Sequence, residues 1–479
     1  MTGAVLALDQ GTSATKALIV RADGTIAATG EAAVASRTVG RDGVELEPEE
    51  IWGSLVTAAR RALTATTERP AAVALANQGE TVMAWERATG KPLSPAISWQ
   101  DRRAGNVCSR LADHAEEVRQ VTGLQLDPYF SAPKMTWVRE NLTTAGVVTT
   151  TDTWLLHRLT GEFITDTATA SRTLLLDLAT ATWSPRMCEL FAVDAGELPP
   201  IAGNDTVIGF TSAFGGELPV AGIIVDQQAA LLAQGCLAPG EAKCTYGTGA
   251  FLLANTGGKA VLSRAGLASC VAWSIGGKIA YCLDGQVYTA GSAVGWLSRT
   301  GIIDDPADLD RVAAAATNGE EVFVPALAGL GAPFWSPAAR ASLTGMSMDT
   351  DRGSIVRAVL EGIAANVTVL TEAAADDLGQ PIQRLRADGG LTRSRVLMQA
   401  QADLLQAPVD VYQIPDATAL GAAALARLAL GDATDGKAAV EHWHPAITYE
   451  PRCQPDETAA RLQRWRRAVA AAAATEPKQ

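Results

Sequence analysis

The sequence has few of the residues and runs that mark secreted, metal-binding or nucleic-acid-binding proteins. Only seven of its 479 residues are cysteines, and none of them forms a CxxC pair. An odd count without paired spacing predicts neither a disulfide framework nor a zinc site, and it fits a reducing compartment. Acidic residues outnumber basic ones by 52 to 39, and there is no block of basic residues. This charge argues against DNA or another long polyanion as a partner.

Long apolar runs and a basic leader are also missing. The first residues, MTGAVLALDQGT, combine a short apolar run with no basic start, and no apolar run approaches the ~20 residues that cross a bilayer. We therefore expect a cytoplasmic protein without a membrane partner. What is present is a hydrophobic content of 48%, enough for a large core. The length suggests two large domains or three modest ones.

Strand and helix patterns occur in two series. Residues 5–8, 17–20 and 26–29 predict a β-meander with a polar first turn, and a second series begins with a strand at 222–225 and a helix at 229–235. Further strands are predicted at 71–98, 250–254, 271–275, 279–283 and 385–387. Helices are predicted near 48–67, 102–114, 133–140, 151–159, 289–299, 353–376, 394–406, 417–429 and 456–474.

A strand, a small polar turn and a second strand occur near residue 9 and again near residue 247. This recurrence predicts two related domains, which we place at residues 1–243 and 244–479. Ligands of two-domain proteins often lie in the cleft between the domains.

The stretch ALANQGETVMAW, residues 74–85, has two interpretations. Two apolar runs separated by Asn77 to Glu80 are typical of a hairpin with Gly79 in its turn. Gln78 and Glu80 are poor choices for a simple turn, however. The alternative is that Glu80 faces a ligand and Gly79 makes room beside it.

Three small-residue loops could bind a phosphorylated ligand. In the run Asp9 to Ser13, backbone amides and hydroxyls could converge on an anion, Lys16 could neutralise its charge, and Asp9 could hold Mg²⁺. Gly247-Thr248-Gly249 has the same character, and two such turns could clamp the phosphates of a nucleotide from both sides. Asp388-Gly389-Gly390 permits close approach of a flat ligand such as adenine. Each loop could also be an ordinary turn.

The motifs taken together resemble the sugar kinase, Hsp70 and actin ATPase superfamily. LALDQGTSATKALIV, VDQQAALLAQ, TYGTGAFLLANTG and ADGGLTRSRVLMQAQADLL occur in the order found in the FGGY carbohydrate kinases, and the similarity runs over nearly the whole chain. WQDRR, DPYFS and DTWLLHRLTGEFITDTATASRT are closest to the glycerol kinases of that family. The resemblance implies an α/β protein of two actin-like (ribonuclease H-like) domains that close over ATP and a polyol.

The resemblance also implies roles for individual residues. Asp226 matches the aspartate that takes the proton from the attacking hydroxyl, although its position also suits a helix N-cap. The positions around the polyol are Gly79, Glu80, Trp99, Tyr129, Asp226, Gln227 and Phe251. The positions on the nucleotide side are Thr12, Ser13, Lys16, Gly247, Thr248, Gly291, Gly295, Gly390 and Ser394, with Mg²⁺ near Asp9. Asp101-Arg102-Arg103 is either a charged helix start or a support for the polyol pocket.

Three positions depart from the glycerol kinase pattern. Gly295 stands where glutamine is common, and Ser394 where asparagine is common, so contacts to the purine or ribose could differ. Gly79 replaces an arginine that holds glycerol hydroxyls in those kinases. Its loss would remove hydrogen bonds of about 1–3 kcal/mol each from a buried polyol and would open space. We therefore predict a polyol longer than glycerol as the preferred substrate.

The sequence thus predicts an ATP- and Mg²⁺-dependent kinase that phosphorylates a terminal hydroxyl of a small polyol or sugar. Two alternatives stay open at this point. One is a ketose kinase of the same family, similar to a xylulokinase, and the other is a non-catalytic nucleotide-binding regulator of the actin type. A homodimer and a homotetramer are both compatible with the sequence.

Overall fold

Two large β-sheets form the centre of the molecule. The computed structural model describes residues 3–316, 319–412, 416–440 and 444–474. The N-terminal sheet has six strands, in the order Val207–Thr211, Leu218–Val225, Pro70–Asn77, Ala4–Gln10, Ala14–Val20 and Ile26–Ala33. The C-terminal sheet has seven, in the order Ala268–Ile275, Lys278–Val287, Ala250–Gly257, Ala242–Tyr246, Leu385–Asp388, Val409–Tyr412 and Pro445–Tyr449.

The two sheets repeat one topology. In the N-terminal sheet, Ala4–Gln10 runs antiparallel to Ala14–Val20 and parallel to Pro70–Asn77. In the C-terminal sheet, Ala242–Tyr246 runs antiparallel to Ala250–Gly257 and parallel to Leu385–Asp388. In each sheet a third parallel strand follows, Leu218–Val225 in the first and Val409–Tyr412 in the second. An antiparallel strand then forms the edge of each sheet. The predicted α/β fold with two actin-like halves is therefore confirmed.

A smaller sheet explains the stretch at residues 74–85. Strand Val82–Glu86 belongs to this sheet, whose other strands are Val147–Thr150, Ala96–Ile97, Gly43–Leu46, Ser36–Val39 and Lys91–Pro92. Strand Pro70–Asn77 has a neighbour on both edges in the N-terminal sheet, so it offers no free edge to a hairpin partner. The hairpin prediction is wrong. The backbone turns at Glu80, whose φ of 60° is unusual for a residue with a side chain.

Helices cover both sheets at nearly the predicted positions. They are Pro48–Thr64, Gly105–Arg110, Ala115–Thr122, Ser131–Asn141, Thr151–Thr160, Thr167–Ala170, Pro185–Leu190, Asp226–Ala233, Gly291–Arg299, Leu309–Ala313, Arg352–Leu378, Arg395–Leu405, Ala417–Ala429, Gly436–Ala439 and Pro455–Ala473. Short 3₁₀ turns lie at Ala112–His114, Ala195–Glu197, Pro306–Asp308 and Gly390–Arg393. Two-stranded pairs join Thr165–Asp166 to Ile201–Ala202, Leu176–Asp177 to Thr182–Trp183, and Val322–Val324 to Ser342–Thr344.

The long helix Arg352–Leu378 is a core element of the C-terminal half. Over the described ranges it is the single helix with the length and apolar composition to cross a membrane, and 83% of its apolar window is buried inside the protein. Its residues Val359, Ile363 and Val367 pack with the C-terminal sheet. Burial of this kind is what a core helix requires.

Helix Ala417–Ala429 crosses from the C-terminal part of the chain to the N-terminal sheet. It packs on helix Asp226–Ala233 and on strand Leu218–Val225. At the closest approach, a Cβ added to Gly421 would lie 2.0 Å from the carbonyl oxygen of Ala229. The absence of a side chain at residue 421 therefore allows two helices to touch backbone to backbone.

Candidate active site

Two of the three small-residue loops predicted from the sequence, those at Gly247 and Gly389, pack closely against neighbouring backbone. The amide of Gly291 donates to the carbonyl of Gly247 over 3.0 Å, and the amide of Ala290 donates to the carbonyl of Thr248 over 3.0 Å. A Cβ on Gly389 would lie 2.5 Å from the carbonyl oxygen of Tyr246, and the φ of Gly389 is 94°. Glycine at these positions lets the loop backbones pack directly against one another.

A cavity of about 390 Å³ lies between the two halves. Its walls include residues of the two glycine-rich turns and the predicted polyol contacts. The lining residues are Thr12, Ser13, Ser36, Gly79, Glu80, Trp99, Gln100, Tyr129, Asp226, Gln227, Thr245, Gly247, Thr248 and Phe251. Every residue predicted to surround the polyol is among them.

A second cavity of about 430 Å³ lies on the C-terminal side. Gly390 and Ser394 line it together with Val294, Leu309 and Asp310. Ser394 also caps helix Arg395–Leu405 through the amide of Leu397 and donates to the carboxylate of Asp310. The predicted nucleotide positions thus lie in two places: the phosphate loops on the first cavity, and Gly390 with Ser394 on the second.

Gly295 lies on helix Gly291–Arg299 beside this second cavity. A Cβ at residue 295 would lie 3.4 Å from Nη1 of Arg299, at the far end of a flexible side chain. The structure therefore leaves room for a larger residue at this position.

Asp226 is the first residue of its helix and faces the first cavity. The N-cap position is taken by Val225, so the predicted capping role of Asp226 is wrong. One carboxylate oxygen, Oδ1, accepts from the backbone amide of Gln227 over 2.7 Å. Burial raises the pKa of Asp226 to about 6, while this amide and the buried Lys243 oppose the shift.

Asp9 and Lys16 stand opposite each other at the start of the first hairpin. Lys16 Nζ donates to Asp416 Oδ1 over 2.9 Å, which links the first hairpin to the start of helix Ala417–Ala429. Within the described chain, the Asp9 carboxylate accepts no hydrogen bond. Burial and the nearby Asp226 raise the pKa of Asp9 to about 7. A carboxylate without a donor beside a second carboxylate is suited to a divalent cation.

Three aromatic rings form the wall at the polyol end. Trp99 meets Tyr129 at a ring-centroid distance of 5.7 Å and Phe251 at 6.2 Å, both edge to face. The indole Nε1 of Trp99 donates to Thr12 Oγ1 over 2.8 Å. This bond ties the polyol wall to the first phosphate loop.

Two cations fix the loop of Tyr129, and the sequence analysis named only one of them, Arg102. Lys134 Nζ is fully buried and donates to the carbonyls of Pro128, Tyr129 and Phe130. Arg102 pairs with Asp127 at 2.7 Å, and Asp127 in turn accepts from the amide of Tyr129. Within Asp101-Arg102-Arg103, the contact that fits the predicted supporting role is the ion pair of Arg102 with Asp127. The DPYFS motif located this loop, but no sequence pattern identified Lys134 as its anchor.

Lys243 is a second buried cation that the sequence analysis missed. Its Nζ donates to Gln227 Oε1 over 2.6 Å and to Thr245 Oγ1 over 2.8 Å. Burial lowers the pKa of Lys243, while the nearby carboxylates of Asp388 and Asp226 oppose the shift. Lys243 therefore connects one predicted polyol contact to the strand that leads into the second glycine-rich turn.

A buried ion-pair network lies beneath Glu80. The side chain of Arg172 donates to Glu80 and to Asp284, and it is only 3% exposed. Burial raises the pKa of Glu80, and Arg172 opposes the rise. Arg172 falls inside a family-like motif but carries no local pattern that assigns it a contact.

Neighbouring side chains border the space into which a side chain at residue 79 would point. A Cβ at residue 79 would lie 3.0 Å from Cγ2 of Val225 and 3.7 Å from Nε of Arg172. The opening expected from the loss of a long side chain is thus partly filled by the methyl of Val225 and the stem of Arg172.

Comparisons with known proteins agree with this geometry. A model of the N-terminal domain of the FGGY family of carbohydrate kinases matches residues 4–233, and a model of its C-terminal domain matches residues 242–430. A glycerol kinase of Bordetella parapertussis is 42% identical, covering 97% of this chain and 96% of its own. The predicted boundary at 243/244 lies just beyond the gap between the two models.

Solved structures of kinases are also similar to this chain over nearly its whole length. Plasmodium falciparum glycerol kinase with ADP superposes with a TM-score of 0.91 at 32% identity, covering 98% of both chains. Xylulose kinase from Rhodospirillum rubrum gives 0.86 at 26% identity, also over 98% of both chains.

The fold and the cleft are those of a two-domain sugar kinase. The chain belongs to the FGGY family of carbohydrate kinases. The prediction of an ATP-dependent kinase is confirmed, with a small polyol or sugar as its acceptor.

Proposed function

We propose that the enzyme transfers the γ-phosphoryl group of ATP to a terminal hydroxyl of a small polyol, with Asp226 as the general base. The observation that carries this proposal is that Asp226 lines one cavity together with Thr12 and Thr248 of the phosphate loops and Glu80 of the polyol wall. An acceptor bound by the polyol wall would present its hydroxyl to Asp226 and to the phosphate loops at once.

The transfer is an in-line displacement at phosphorus. The hydroxyl oxygen bonds to the γ-phosphorus, the bond to the bridging oxygen of ADP breaks, and the hydroxyl proton passes to Asp226. The amides of Gly11 and Gly247 donate within their own turns, so the backbone amides of residues 12–13 and 248–249 would bind phosphate oxygens. Closure of the two halves would exclude water, which competes with the polyol as acceptor.

Asp9 is the residue we assign to Mg²⁺. Its carboxylate accepts no hydrogen bond within the described chain and stands close enough to Asp226 for the two charges to interact. A bound Mg²⁺ would supply charge neutralisation of the phosphate oxygens.

The pH dependence of catalysis should reflect the ionisation of Asp226. A base with a pKa of about 6 is deprotonated above that value and inactive below it. We expect kcat/KM for the acceptor to be level above pH ~8, to begin to fall near pH ~7, where Glu80 takes up a proton, and to fall more steeply below pH ~6, where Asp226 does so too. An initial-rate series from pH 5 to 9 at saturating ATP and Mg²⁺ measures this. A profile that stays flat to pH 5 would contradict the assignment.

The acceptor we favour is longer than glycerol. Glycine at residue 79 brings no side-chain donor to the wall, and the cavity of about 390 Å³ must still be filled by the acceptor and the transferred phosphate. The similarity to proteins named glycerol kinase supports a polyol over a ketose, whereas the xylulose kinase likeness keeps ketoses in the test. A tetritol or pentitol has the extra hydroxymethyl groups that could meet Glu80 and Gln100 together.

A panel of acceptors tests this specificity. We expect a tetritol or pentitol to exceed glycerol in kcat/KM by tenfold or more, since one buried hydrogen bond is worth about 1–3 kcal/mol. ADP release would be measured for glycerol, tetritols, pentitols, ketopentoses and no acceptor, with purified enzyme. Glycerol as the best substrate would refute the inference from Gly79, and release that needs no acceptor would refute the proposed reaction.

We infer a cytoplasmic location from the odd number of cysteines and the lack of paired cysteine spacing in the sequence. The choice between homodimer and homotetramer stays a prediction, which light scattering would decide.

A further inference from the structure

Arg172 lies at the junction of the two halves, directly behind the polyol end of the cavity. Its Nε donates to the carboxylate of Glu80, and its Nη1 donates to Asp284 Oδ2 over 2.5 Å. Its Nη2 lies 3.4 Å from the hydroxyl of Tyr129. The guanidinium therefore has one partner in each half and a further contact to a ring of the polyol wall.

These partners belong to different parts of the fold. Glu80 follows strand Pro70–Asn77 of the N-terminal sheet, whereas Asp284 lies on strand Lys278–Val287 of the C-terminal sheet. Both carboxylates are at most 4% exposed. Without Arg172 they would be two buried negative charges with no shared cation, an arrangement that costs far more than a surface pair.

We infer that Arg172 is a positioning residue for acceptor binding: it orients Glu80 and Tyr129 toward the polyol and fixes them to the C-terminal half through Asp284. This inference rests on the proposed polyol kinase function. Glu80 and Tyr129 line the cavity, and Arg172 stands behind them, so it acts through these two groups.

Gly79 strengthens the inference. With glycine at residue 79, the nearest guanidinium to this wall is that of Arg172, whose Nε lies 3.7 Å from the position of a Cβ on residue 79. The guanidinium charge beside residue 79 is therefore that of Arg172. Glycine at residue 79 leaves room for the side-chain carbons of Arg172.

Ionisation of Glu80 is the property that Arg172 should control. The charged groups that act on Glu80 are Arg172 and Lys134, which favour its carboxylate form, and Asp226, which opposes it. Lys134 is already committed to three carbonyls of the Tyr129 loop. Burial already raises the pKa of Glu80 to about 7, so removing Arg172 should raise this pKa further and leave Glu80 protonated at neutral pH, unable to accept two polyol hydroxyls.

Two variants of Arg172 test the inference. Lysine keeps the charge but lacks the planar fork that reaches two carboxylates, whereas methionine removes the charge and keeps much of the volume. Arg172→Lys should raise KM for the best acceptor about tenfold or more while KM for ATP stays within about twofold, since a charged hydrogen bond lost is worth 10- to 100-fold. Arg172→Met should do the same and also move the acidic limb of kcat/KM upward by about one pH unit or more.

The matched control is Arg384→Met. Arg384 pairs at 2.7 Å with the buried Asp410, which lies two strands from Ala242–Tyr246 in the C-terminal sheet, and neither residue lines the cavity. This variant should keep both KM values. The inference would be overturned by two results together. In Arg172→Lys, KM for ATP and KM for the acceptor would change equally, and in Arg172→Met the pH profile of kcat/KM would not move, which would show a merely structural role.

A measurement without turnover separates this inference from the proposed function. In Arg172→Met, Glu80 should bind a proton on folding, so the thermal midpoint should rise as pH falls from 8 to 6 more steeply than in the wild type. If the wild-type protein turns over no polyol, the proposed function is refuted. The pH effect on the thermal midpoint would still support the role of Arg172. Identical pH dependence of the two midpoints would refute the role of Arg172, whatever the substrate.

Discussion

An Asp226→Asn enzyme should lose roughly 10²- to 10⁴-fold in kcat, the range that a general base supplies. The substitution keeps the size and the acceptor oxygen for the amide of Gln227, so the helix start should not change. It removes the carboxylate that we propose as the base, which lines the cavity together with the phosphate loops and the polyol wall. KM for the acceptor should change by only a few-fold, because the amide still bonds the hydroxyl.

Stability should move in the opposite direction. Burial raises the pKa of Asp226 to about 6, so above this pH the folded protein holds a carboxylate that would be better solvated in the unfolded chain. The asparagine variant should thus have a thermal midpoint at neutral pH equal to or above that of the wild type. A gain or retention of stability with lost activity is the expected trade-off at a functional site.

The control for this variant is Asp435→Asn. Asp435 also stands at a helix start, where its carboxylate caps the amide of Ala438 on the protein surface. Asparagine caps as well as aspartate, so activity and stability should both be retained. Turnover in Asp226→Asn within threefold of the wild type would exclude Asp226 as the base.

A Gly421→Ala variant should lose about 1–3 kcal/mol in free energy of unfolding, although alanine is the better helix former. The added methyl carbon would lie 2.0 Å from the carbonyl oxygen of Ala229 and 2.6 Å from its carbonyl carbon. Backbone atoms cannot rotate away as a side chain can. Helix Ala417–Ala429 would have to move off helix Asp226–Ala233.

The activity of this variant should fall too. Ala229 lies one turn after Asp226 in the same helix, so a shift at the contact is transmitted to the proposed base. A displacement of 1 Å at a reacting group can cost about 10²-fold in rate. Chemical denaturation and steady-state kinetics on the same preparation would test both effects.

The control is the same substitution at Gly53. This residue is exposed on helix Pro48–Thr64, and a Cβ there would meet no atom within 4 Å. Gly53→Ala should therefore stabilise the protein by about 0.5–1 kcal/mol with unchanged activity. If Gly421→Ala and Gly53→Ala change stability in the same direction, the close helix contact is not a determinant of stability.

Local patterns predicted much of the fold. The helix at 417–429 was predicted with the bounds that the structure has, and those at 353–376 and 456–474 to within two residues. The predicted helix at 102–114 is divided into the helix Gly105–Arg110 and the 3₁₀ turn Ala112–His114, with Leu111 between them. The pairing of residues 70–77 with 82–86 failed because the neighbours of a strand depend on distant segments.

In the candidate site, too, some residues could be named from the sequence and others only from the structure. Asp226, Glu80 and Thr248 could be named from the sequence because they lie in motifs, and the structure places all three on one cavity. Arg172 and Lys243 could not, because their partners are 92 and 16 residues away in the chain and only folding makes them neighbours.

By itself the sequence determined the α/β class and the repeat of a strand–turn–strand unit, since these depend on periodicity. Its motifs resemble those of a known family, and that resemblance supplied the residues that we propose for the chemistry. Only the tertiary structure decided that Glu80 bends the backbone, that Val225 and Arg172 border the space beside Gly79, and that two buried cations support the wall. The physical reason is that burial, ion pairing and close packing are properties of groups brought together across the fold. Gly79 and Gly421 look alike in the sequence, and the atoms around each of them determine what a side chain there would do.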